Sequence, residues 1–301
     1  METQRVTPTP DELRAAVRQY WDARPCDSDA SRLSPGSPSY FTEIEKERYA
    51  HQGHVLELLN QIDWRGKSTL EIGTGVGTDA RQLIVRGAHY DGINLDEGSC
   101  ALTRRALAAF GLPGRVQAMD ATAMRFGDAT FDVVYSFGVL HHIPDVGRAV
   151  GEIHRVLKRD GLLLFMVYNR SSINYQLEIR LLRRWGLRLL GLPGAIPLLS
   201  RLGFPREKLE RHLELFTALG RMSDEEWLSR NTDGPDNPYS CVYSRAEVEK
   251  LLADRFRILR QQVCYIDPRH WGPPGRLLPR PTIRFLARRW GWHRIALAQR
   301  L

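Results

Sequence analysis

The sequence predicts an α/β domain built around a mainly parallel sheet. Between residues 68 and 169, short apolar runs alternate with segments of helical pattern. We predict strands at 69–73, 90–95, 116–120, 131–137 and 162–169, with helices at 78–86, 97–110 and 146–158. Strands separated by helices at this spacing form βαβ units with right-handed crossovers. The loop after the first strand, with Gly73, Gly75 and Gly77 at alternate positions, also favours this fold.

The flanking segments divide the chain into four regions. Residues 1–65 are predicted to form a helical N-terminal cap, interrupted by a Pro- and Ser-rich stretch at 27–39. Residues 66–169 form the α/β core, and residues 170–238 interrupt it as a helical lid insertion. Residues 239–301 return to the core with a helix at 245–254, a strand at 257–265 and a last strand near 295–298. Ser244 and Glu247 have the spacing of a capping box at the start of that helix.

Charge is distributed unevenly along the 301 residues. The chain has a net charge of +8, but residues 1–170 hold 20 Lys/Arg against 22 Asp/Glu, whereas residues 171–301 hold 23 against 13. A hydrophobic content of 43% is enough for a packed core and excludes a disordered chain. The basic second half favours an acidic partner, a nucleic acid or an anionic membrane surface.

Apolar runs and cysteines bear on the compartment and on metal binding. The longest uninterrupted apolar run, at 162–167, is far shorter than the roughly 20 residues of a membrane span. The first dozen residues include acidic side chains and no apolar run, which argues against a secretory signal. Cysteines 26, 100, 241 and 264 show no metal-ligand spacing. We therefore expect reduced thiols, no metal site and a cytoplasmic location.

Polar side chains follow three consecutive predicted strands. Asn94 ends the second strand with Asp96 just beyond it, and Asp120 ends the third. Open α/β sheets bind ligands at the carboxyl ends of their strands, where a polar side chain after the second strand grips a nucleoside ribose. Asp120 is placed to contact an adenine amino group. A purely structural turn and an NAD(P)-dependent oxidoreductase remain alternatives, although Thr78 stands where the dinucleotide pattern has its third glycine.

Four segments resemble the class I S-adenosylmethionine-dependent methyltransferases, particularly the small-molecule branch (methyltransferase type 11, ubiquinone/menaquinone-type). They are LEIGTGVGTDA at 70–80, GINLDEGS at 92–99, QAMDATAMRFGDATFDVVYSFGVLHHIPD at 117–145 and EIHRVLKRDGLLLFM at 152–166. The resemblance implies a Rossmann-like, doubly wound seven-stranded sheet whose last strand is antiparallel. It also implies S-adenosyl-L-methionine as the cofactor.

The resemblance further implies roles for single residues. Glu71, Gly73 and Gly75 would bracket the methionine part of the cofactor, and Asn94 would bind its ribose. Asp120 with Ala121 would contact the adenine, and Phe137 would line the face where the methyl group is transferred. Asn94 departs from the acid that is usual at its position, and Asp96 is the candidate to compensate for the missing charge.

Candidate residues for the reaction itself follow the fourth strand and precede the core. His141 and His142 lie at the ligand end of the sheet, and an imidazole can act as a general base near neutral pH. A structural or pocket-lining role for the pair is the competing interpretation. Tyr20, within the aromatic N-terminal cap, and Tyr168, at the end of the fifth strand, are candidates to contact the methyl acceptor.

The lid insertion contains an amphipathic basic helix. Its apolar row (Leu177, Leu181, Trp185, Leu189) and its arginine row (Arg180, Arg184, Arg188) both have helical spacing. The apolar row could close the pocket, bind a membrane surface, or form part of a contact with an acidic partner. A second basic cluster, Arg276 to Arg294 with Trp290 and Trp292, also suits RNA.

We expect a methyltransferase that acts on a small-molecule acceptor in specialised metabolism. An RNA or tRNA methyltransferase is the main alternative, since the second half of the chain is basic. Against it, the fourth strand continues as Ser136-Phe137-Gly138-Val139, without the Asn/Asp-Pro-Pro-aromatic tetrad used to methylate exocyclic amines. A non-catalytic protein that binds the cofactor is a further alternative.

Overall fold

The computed structural model describes residues 8–220, 222–268, 275 and 277–301. Its centre is a seven-stranded sheet with the order β3-β2-β1-β4-β5-β7-β6. The strands are β1 (Ser68–Ile72), β2 (His89–Asn94), β3 (Arg115–Ala118), β4 (Phe131–Phe137), β5 (Leu157–Tyr168), β6 (Phe256–Cys264) and β7 (His293–Arg300). All seven predicted strands are present. Only the start of β5 differs by more than two residues from the predicted limits.

The sheet is parallel from β3 to β5 and antiparallel at β7. Strand β7 pairs antiparallel with β5 from Leu162–Gln299 to Tyr168–His293, and it pairs antiparallel with β6 on its other side. The expected doubly wound, Rossmann-like sheet with an antiparallel last strand is therefore confirmed. A dinucleotide-binding fold places its sixth strand directly beside the fifth, so the inserted β7 distinguishes this sheet from that alternative.

Helices cover both faces of the sheet and form the flanking segments. They are α1 (Pro10–Ala23), α2 (Pro38–His51), α3 (His54–Leu59), α4 (Thr78–Val85), α5 (Glu97–Ala109), α6 (Val146–Val156), α7 (Arg183–Leu190), α8 (Ala195–Arg201), α9 (Arg206–Leu219), α10 (Asp224–Arg230), α11 (Arg245–Leu252) and α12 (Arg280–Trp290). Ser28–Ala30 and Leu140–His142 form 3₁₀ turns, and a π-helical segment, Asn174–Leu182, runs directly into α7. None of the helices in the described part of the chain has the length and apolar character that a membrane span requires.

Local sequence explains where several helices begin. The Ser244 side chain accepts a hydrogen bond from the Glu247 backbone while the Glu247 carboxylate accepts one from the Ser244 backbone, so the predicted capping box is formed. Thr9 and Glu12 make the same motif at α1. Each reciprocal pair satisfies two backbone N–H groups that a helix start otherwise leaves without partners.

The end of α6 and the start of β5 correct one prediction. The sequence predicted a helix to residue 158 and a strand from residue 162, but α6 ends at Val156 and β5 starts at Leu157. Pairing with β4 shifts from Phe131–Leu157 to Val133–Leu162, and Asp160 has a φ of +60°. The residues between these two pairs form an irregularity inside the longer strand, because Leu157 already pairs with β4.

The two faces of the sheet bury different side chains. Val133, Tyr135 and Leu164 point towards α3, α4 and α5, in a cluster that includes Trp64 and Leu83. The alternate residues of the same strands, among them Val134, Leu163 and Phe165, pack against α6 and α11. Since the side chains of a strand alternate between faces, strands that are apolar throughout require helices on both sides.

The N-terminal segment is anchored by aromatic side chains. Tyr40, Phe41 and Ile44 on α2 are buried in a cluster with Val76 and Ala106 of the core. These α2 residues dock the N-terminal segment on the core. The α1 helix lies against α5, where the Asp22 carboxylate accepts a hydrogen bond from the Gly98 backbone at 2.8 Å.

The lid interpretation of the amphipathic helix is wrong for its apolar row. Leu177, Leu181, Trp185 and Leu189 are 47–61% exposed, and none of them lines the cavity described below. The insertion reaches that cavity through the loop after α10 instead. The row therefore forms an exposed apolar stripe. Arg276, the first residue of the second basic cluster, lies outside the described residues.

Candidate active site

A cavity of about 530 Å³ opens at the carboxyl ends of the parallel strands. This volume falls within the roughly 300–1,000 Å³ typical of small-molecule sites. Most of the residues singled out from the sequence line it, namely Glu71, Gly73, Gly75, Asn94, Asp96, Asp120, Ala121, Phe137, His142 and Tyr168. The fold brings these side chains together because the tips of adjacent parallel strands meet at one edge of the sheet.

The glycine loop between β1 and α4 leaves no room for a side chain at its first glycine. Gly73 has a φ of +85°, and a Cβ atom there would lie 2.0 Å from Cγ2 of Val139. Gly75 has a φ of +54°, with only ordinary van der Waals distances to Cys26. Glycine is needed at Gly73 for packing against the end of β4, and at Gly75 it keeps the backbone open to the cavity.

Glu71 lies beneath this loop and is buried. The Tyr90 hydroxyl donates a hydrogen bond to its carboxylate. Burial, with a further contribution from the nearby Asp79 charge, raises the pKa of Glu71 to about 8. Glu71 is therefore largely uncharged near neutral pH in the protein alone, and a cationic ligand group in the cavity would favour its ionised form.

Asn94 and Asp96 form a connected pair at the end of β2. The Asn94 amide donates to Oδ2 of Asp96 at 2.8 Å, which leaves the Asn94 carbonyl oxygen as an acceptor for a ligand hydroxyl. Oδ1 of Asp96 caps α5 by accepting from the Ser99 backbone at 2.7 Å. Burial raises the pKa of Asp96 above its usual value. Asp96 thus orients Asn94 and also lines the cavity.

Asp120 ends the β3 side of the cavity and is held by its own loop. Its Oδ1 accepts from the Thr122 backbone and hydroxyl, both at 2.8 Å. Its Oδ2 lies 3.3 Å from a guanidinium nitrogen of Arg14 on α1. This second oxygen faces the cavity-lining helix α1, where a ligand amino group can reach it.

Two of the predicted reactive residues do not reach the cavity. His141 is fully buried against the Tyr168 ring, with 3.7 Å between ring centroids, and does not line the cavity. Burial holds its pKa well below the usual value, so it stays neutral. The Tyr20 hydroxyl instead donates to the backbone oxygen of Asp233 at 2.6 Å. His141 and Tyr20 therefore contact residues that line the cavity, Tyr168 and Asp233, without lining it themselves. The predictions that they contact substrate are wrong.

Two cavity residues come from outside the α/β core. Trp21, next to Tyr20, lines the cavity and meets the His142 ring edge-on at 5.2 Å. Asp233, from the loop after α10, also lines it and lies 3.4 Å from Nε2 of His142. Asp233 belongs to a polar loop without periodicity, and no motif connects it to β4. Only the tertiary structure reveals this contact.

Arg48 and Asp79 join the N-terminal segment to the glycine loop. The Arg48 guanidinium donates to both Asp79 oxygens at 3.1 and 2.8 Å and to Asp27 at 2.9 Å. The hydroxyls of Tyr49 and Tyr135 each donate to Asp79 at 2.8 Å. Burial alone would raise the pKa of Asp79, but the charge and hydrogen bonds of Arg48 outweigh it and hold the pKa below its usual value.

Three potential metal ligands meet beside the cavity, although the sequence showed no metal-ligand spacing. His54 begins α3, and Cys264 and His293 are register partners on β6 and β7. One nitrogen or sulfur atom from each lies within 4.8 Å of the others. His54 Nε2 and His293 Nδ1 are 3.0 Å apart and share a hydrogen bond. A soft divalent ion is the kind of metal that such nitrogen and sulfur ligands suit.

The cavity residues fit S-adenosylmethionine in their chemistry. The glycine loop leaves backbone open to the cavity, the Asn94 carbonyl oxygen can accept from ribose, and Asp120 Oδ2 can accept from an adenine amino group. A buried carboxyl group, Glu71, stands where a cationic amino group would ionise it. The fit rests on the hydrogen-bond acceptors and on the unfilled space at Gly75.

Comparisons with known proteins relate part of the chain to methyltransferases. Residues 70–165 match the family model described as a methyltransferase domain. The chain is 31% identical over 134 residues to a sterol 4-C-methyltransferase of Caenorhabditis elegans, covering 44% of this chain and 38% of that protein. It is 29% identical over 126 residues to a ubiquinone biosynthesis O-methyltransferase of Pseudomonas putida, covering 40% and 54%. The chain thus spans about two fifths to one half of the relatives it matches.

A solved structure extends the comparison to the whole fold. Magnesium protoporphyrin IX methyltransferase from Synechocystis, with bound S-adenosylhomocysteine, has a TM-score of 0.55 and 16% identity, covering 96% of this chain and 100% of that one. At that identity the likeness concerns the fold alone. The matched domain, the sheet order and the cavity at the strand ends agree with one another. Residues 70–165 are therefore similar to a methyltransferase domain, and the chain as a whole shares the fold of the Synechocystis methyltransferase.

Proposed function

We propose that the protein transfers a methyl group from S-adenosylmethionine to a small-molecule acceptor. The observation that carries this proposal is the single cavity into which Gly75, Asn94 and Asp120 all open. When bound, the cofactor supplies an electrophilic methyl carbon on a positively charged sulfur. The electron-rich ring of Trp21 lines the same cavity and suits such a cation. The protein's own part is to align the acceptor and to exclude water.

Two segments outside the α/β core cover part of the cavity, and this arrangement favours a small acceptor over RNA. Helix α1 and the loop after α10 both contribute to its lining, through Trp21 and Asp233. The Tyr20 hydroxyl ties these two segments together by donating to the Asp233 backbone. A polynucleotide would need an open groove in place of these segments. The named relatives act in sterol and ubiquinone chemistry, which supports a lipophilic acceptor for this chain.

The function is tested by incubating the protein with S-adenosylmethionine labelled in its methyl group. Total RNA is supplied in one reaction and a metabolite and lipid extract in another. We expect label in the low-molecular-weight fraction and none in the RNA. Label in RNA alone would establish the alternative function. The identity of the labelled product also tests the expectation of a role in specialised metabolism.

We also propose that the insertion binds an anionic membrane surface. Its apolar stripe is exposed, with Trp185 at 61% and Leu189 at 54%. Arginines accompany the stripe: Arg188 lies over the Trp185 ring at 5.7 Å from its centroid. Apolar side chains flanked by arginines are typical of helices that lie in the headgroup region of anionic membranes.

All four cysteines are free, so we further propose the cytosol as the compartment.

Vesicle flotation tests the membrane proposal. We expect the protein to float with vesicles of phosphatidylcholine containing about one third phosphatidylglycerol, and to release as salt rises, because charge contributes to the binding. The double variant Trp185→Ser/Leu189→Ser is expected to stay at the bottom of the gradient. Leu259→Ser is the matched control, since Leu259 is 47% exposed on β6, outside the stripe. Equal flotation of the double variant and wild type would contradict the proposal.

A further inference from the structure

A cluster of two histidines and one cysteine lies beside the cavity, where α3 meets strands β6 and β7. His54, Cys264 and His293 each offer a nitrogen or sulfur atom, and these atoms all lie within 4.8 Å of one another. His293 is 3% exposed and lines the cavity, whereas His54 and Cys264 are half-buried and do not line it. Imidazole and thiolate are ligands that zinc takes in many protein sites. The cluster therefore has the chemistry of a site for a soft divalent ion.

The fold brings the three ligand atoms together from three separate segments. Cys264 and His293 are register partners on antiparallel strands, so their side chains leave the sheet on the same face, with Cβ atoms roughly 4.5–5.5 Å apart. That face packs against α3, because Cys264 contacts the apolar cluster that contains Val55 and Leu59. His54 is the first residue of α3. The cluster thus depends on strand register and helix packing, and no spacing along the chain encodes it.

The distances allow a tetrahedral zinc site after small side-chain movements. Zinc–nitrogen bonds of about 2.0–2.1 Å and zinc–sulfur bonds of about 2.3 Å place two nitrogens about 3.4 Å apart and a nitrogen about 3.6 Å from sulfur. Nε2 of His54 and Nδ1 of His293 are 3.0 Å apart, so they need to separate by a few tenths of an ångström. The Cys264 sulfur lies within 4.8 Å of both nitrogens and needs to approach each by about 1.2 Å at most. The hydrogen bond between the imidazoles is then exchanged for two bonds to the ion.

The backbone next to Cys264 is strained. Tyr265 has a φ of +69°, which a bulky residue rarely adopts. Its ring stacks on His293 with 4.4 Å between centroids and lies 5.3 Å from the ring of His54. Its carbonyl oxygen accepts from the Trp292 backbone at 2.7 Å, which ties this strained residue to the start of β7. Strained conformations persist where the surrounding structure fixes them, and they are concentrated at functional sites.

The charges near the cluster are balanced and do not exclude a cation. The Arg48 guanidinium lies 5.5 Å from the centroid of the Phe137 ring, and the same ring lies 5.4 Å from that of His293. Arg48 is paired with carboxylate oxygens of Asp79 and Asp27 at 2.8 and 2.9 Å. Two carboxylates therefore offset the one guanidinium on this side of the cluster.

We propose that His54, Cys264 and His293 bind a zinc ion that joins α3 to strands β6 and β7 and fixes His293 in the cavity wall. The proposal goes beyond methyl transfer, and no step of that reaction depends on it. The described residues supply three ligands, and a water molecule can complete the four that zinc prefers. Magnesium and calcium prefer oxygen ligands, so this set selects against them. An ion that binds only the folded arrangement stabilises it.

Isothermal titration with zinc chloride tests the site on the full chain, stripped of metal and without an affinity tag. We expect one ion per chain with a Kd of about 1 µM or tighter. Cys264→Ser is expected to bind at least about 100-fold more weakly, because a hydroxyl is a poorer ligand than a thiolate for this metal. The matched control is Cys241→Ser, which removes another half-buried free thiol and should keep wild-type affinity. Equal affinity of Cys264→Ser and wild type, or equal loss in both variants, would overturn the proposal.

Thermal unfolding with and without zinc tests the histidine ligands. Zinc at about 100 times its Kd should raise the Tm of the wild type by about 5 °C, because the ion binds the folded state. His54→Asn is expected to remove that rise. His154→Asn is the control, since His154 is also half-buried and meets an aromatic ring, Phe256, at 5.6 Å. An equal rise in His54→Asn, or no rise in the wild type, contradicts the inference.

Cobalt substitution tests the ligand set in the wild type, so its result does not depend on how the variants fold. Co²⁺ occupies zinc sites, and its absorption spectrum reports both the ligands and the geometry. We expect a thiolate-to-cobalt charge-transfer band in the near ultraviolet together with the intense visible bands of a tetrahedral ion. Weak visible bands of an octahedral ion without a charge-transfer band would refute the site, and would leave the proposed methyl transfer untouched.

Discussion

Gly75→Arg is expected to abolish binding of S-adenosylmethionine and S-adenosylhomocysteine. Gly75 lines the cavity at a φ of +54°, and a Cβ atom there meets only Cys26 at 3.7 Å. The first atom of a side chain therefore fits, but a long cationic chain must extend into the cavity or displace the N-terminal segment. Either result removes the space that the ligand needs. Isothermal titration should show at least a 100-fold loss of affinity, which corresponds to about 2.7 kcal/mol.

Gly111→Arg is the matched control for this variant. Gly111 has a similar φ of +61° and no atom within 4 Å of an added Cβ. Both variants carry the same backbone penalty of roughly 1 kcal/mol, since a non-glycine residue rarely adopts this conformation. Only Gly75→Arg should lose the ligand. Retained affinity in Gly75→Arg, or equal loss in both variants, would refute the assigned cofactor site.

Arg48→Met is expected to be the most destabilising single substitution outside the hydrophobic core. It removes two hydrogen bonds to Asp79 and one to Asp27, and it leaves the Asp79 charge buried without its cation. Breaking a buried ion pair from one side destabilises a protein by roughly 3–5 kcal/mol. Differential scanning calorimetry at pH 8 should show a Tm lower by about 10 °C.

The pH dependence of this loss has a defined sign. In the wild type the pKa of Asp79 is lowered, so its contribution to stability is present above the unfolded pKa of about 3.9 and is lost as pH falls through the folded pKa. In Arg48→Met burial is unopposed and raises the pKa, so stability is lost as pH rises. The difference in Tm should therefore be small near pH 4 and large at pH 8.

Arg65→Met controls for the loss of an arginine from an ion pair. Arg65 bonds to Asp63 at 2.9 Å, but its side chain is 82% exposed. Exposed pairs contribute about 0–1 kcal/mol, so its Tm should change little at either pH. If Arg65→Met and Arg48→Met lose the same Tm, the stabilising role assigned to the buried network is refuted.

Periodicity and glycine placement predicted the sheet well because they are local consequences of burial. Strands covered by helices on both faces are apolar throughout, and the helices between them are amphipathic. The apolar run at 295–298 lies within β7, yet the antiparallel place of this strand between β5 and β6 came only from the family resemblance. Alternation along a chain carries no information on strand order.

Side chains at the ends of predicted strands were also placed well by the sequence. Asn94 ends β2, and Asp120 and His142 lie in the short segments after β3 and β4, so chain connectivity sets their positions at the edge of the sheet. The sequence could not show which of two adjacent residues points into the cavity. His141 and His142 share one short turn, but His141 is buried behind Tyr168 while His142 reaches the cavity. Likewise Trp21 lines the cavity, and its neighbour Tyr20 braces the loop after α10.

The amphipathic helix of the insertion shows what residue spacing cannot predict. Its apolar row has the spacing of a buried face, but the structure leaves that row exposed. Spacing shows that a helix has an apolar side, and it does not identify the partner that covers that side. The basic residues beside the row were visible in the sequence, and their relation to an exposed stripe became clear only with the fold.

The sequence alone determined the α/β architecture, the glycine loop and the identity of the strand-end residues that line the cavity, because each depends on neighbours within a few positions. Only the tertiary structure decided which histidine is accessible, which acid faces it and how Arg48 binds the glycine loop to the N-terminal segment. Those contacts join residues 31 or more positions apart, such as Arg48 with Asp79 and His142 with Asp233. They depend on how separate segments pack, and no local pattern encodes that packing.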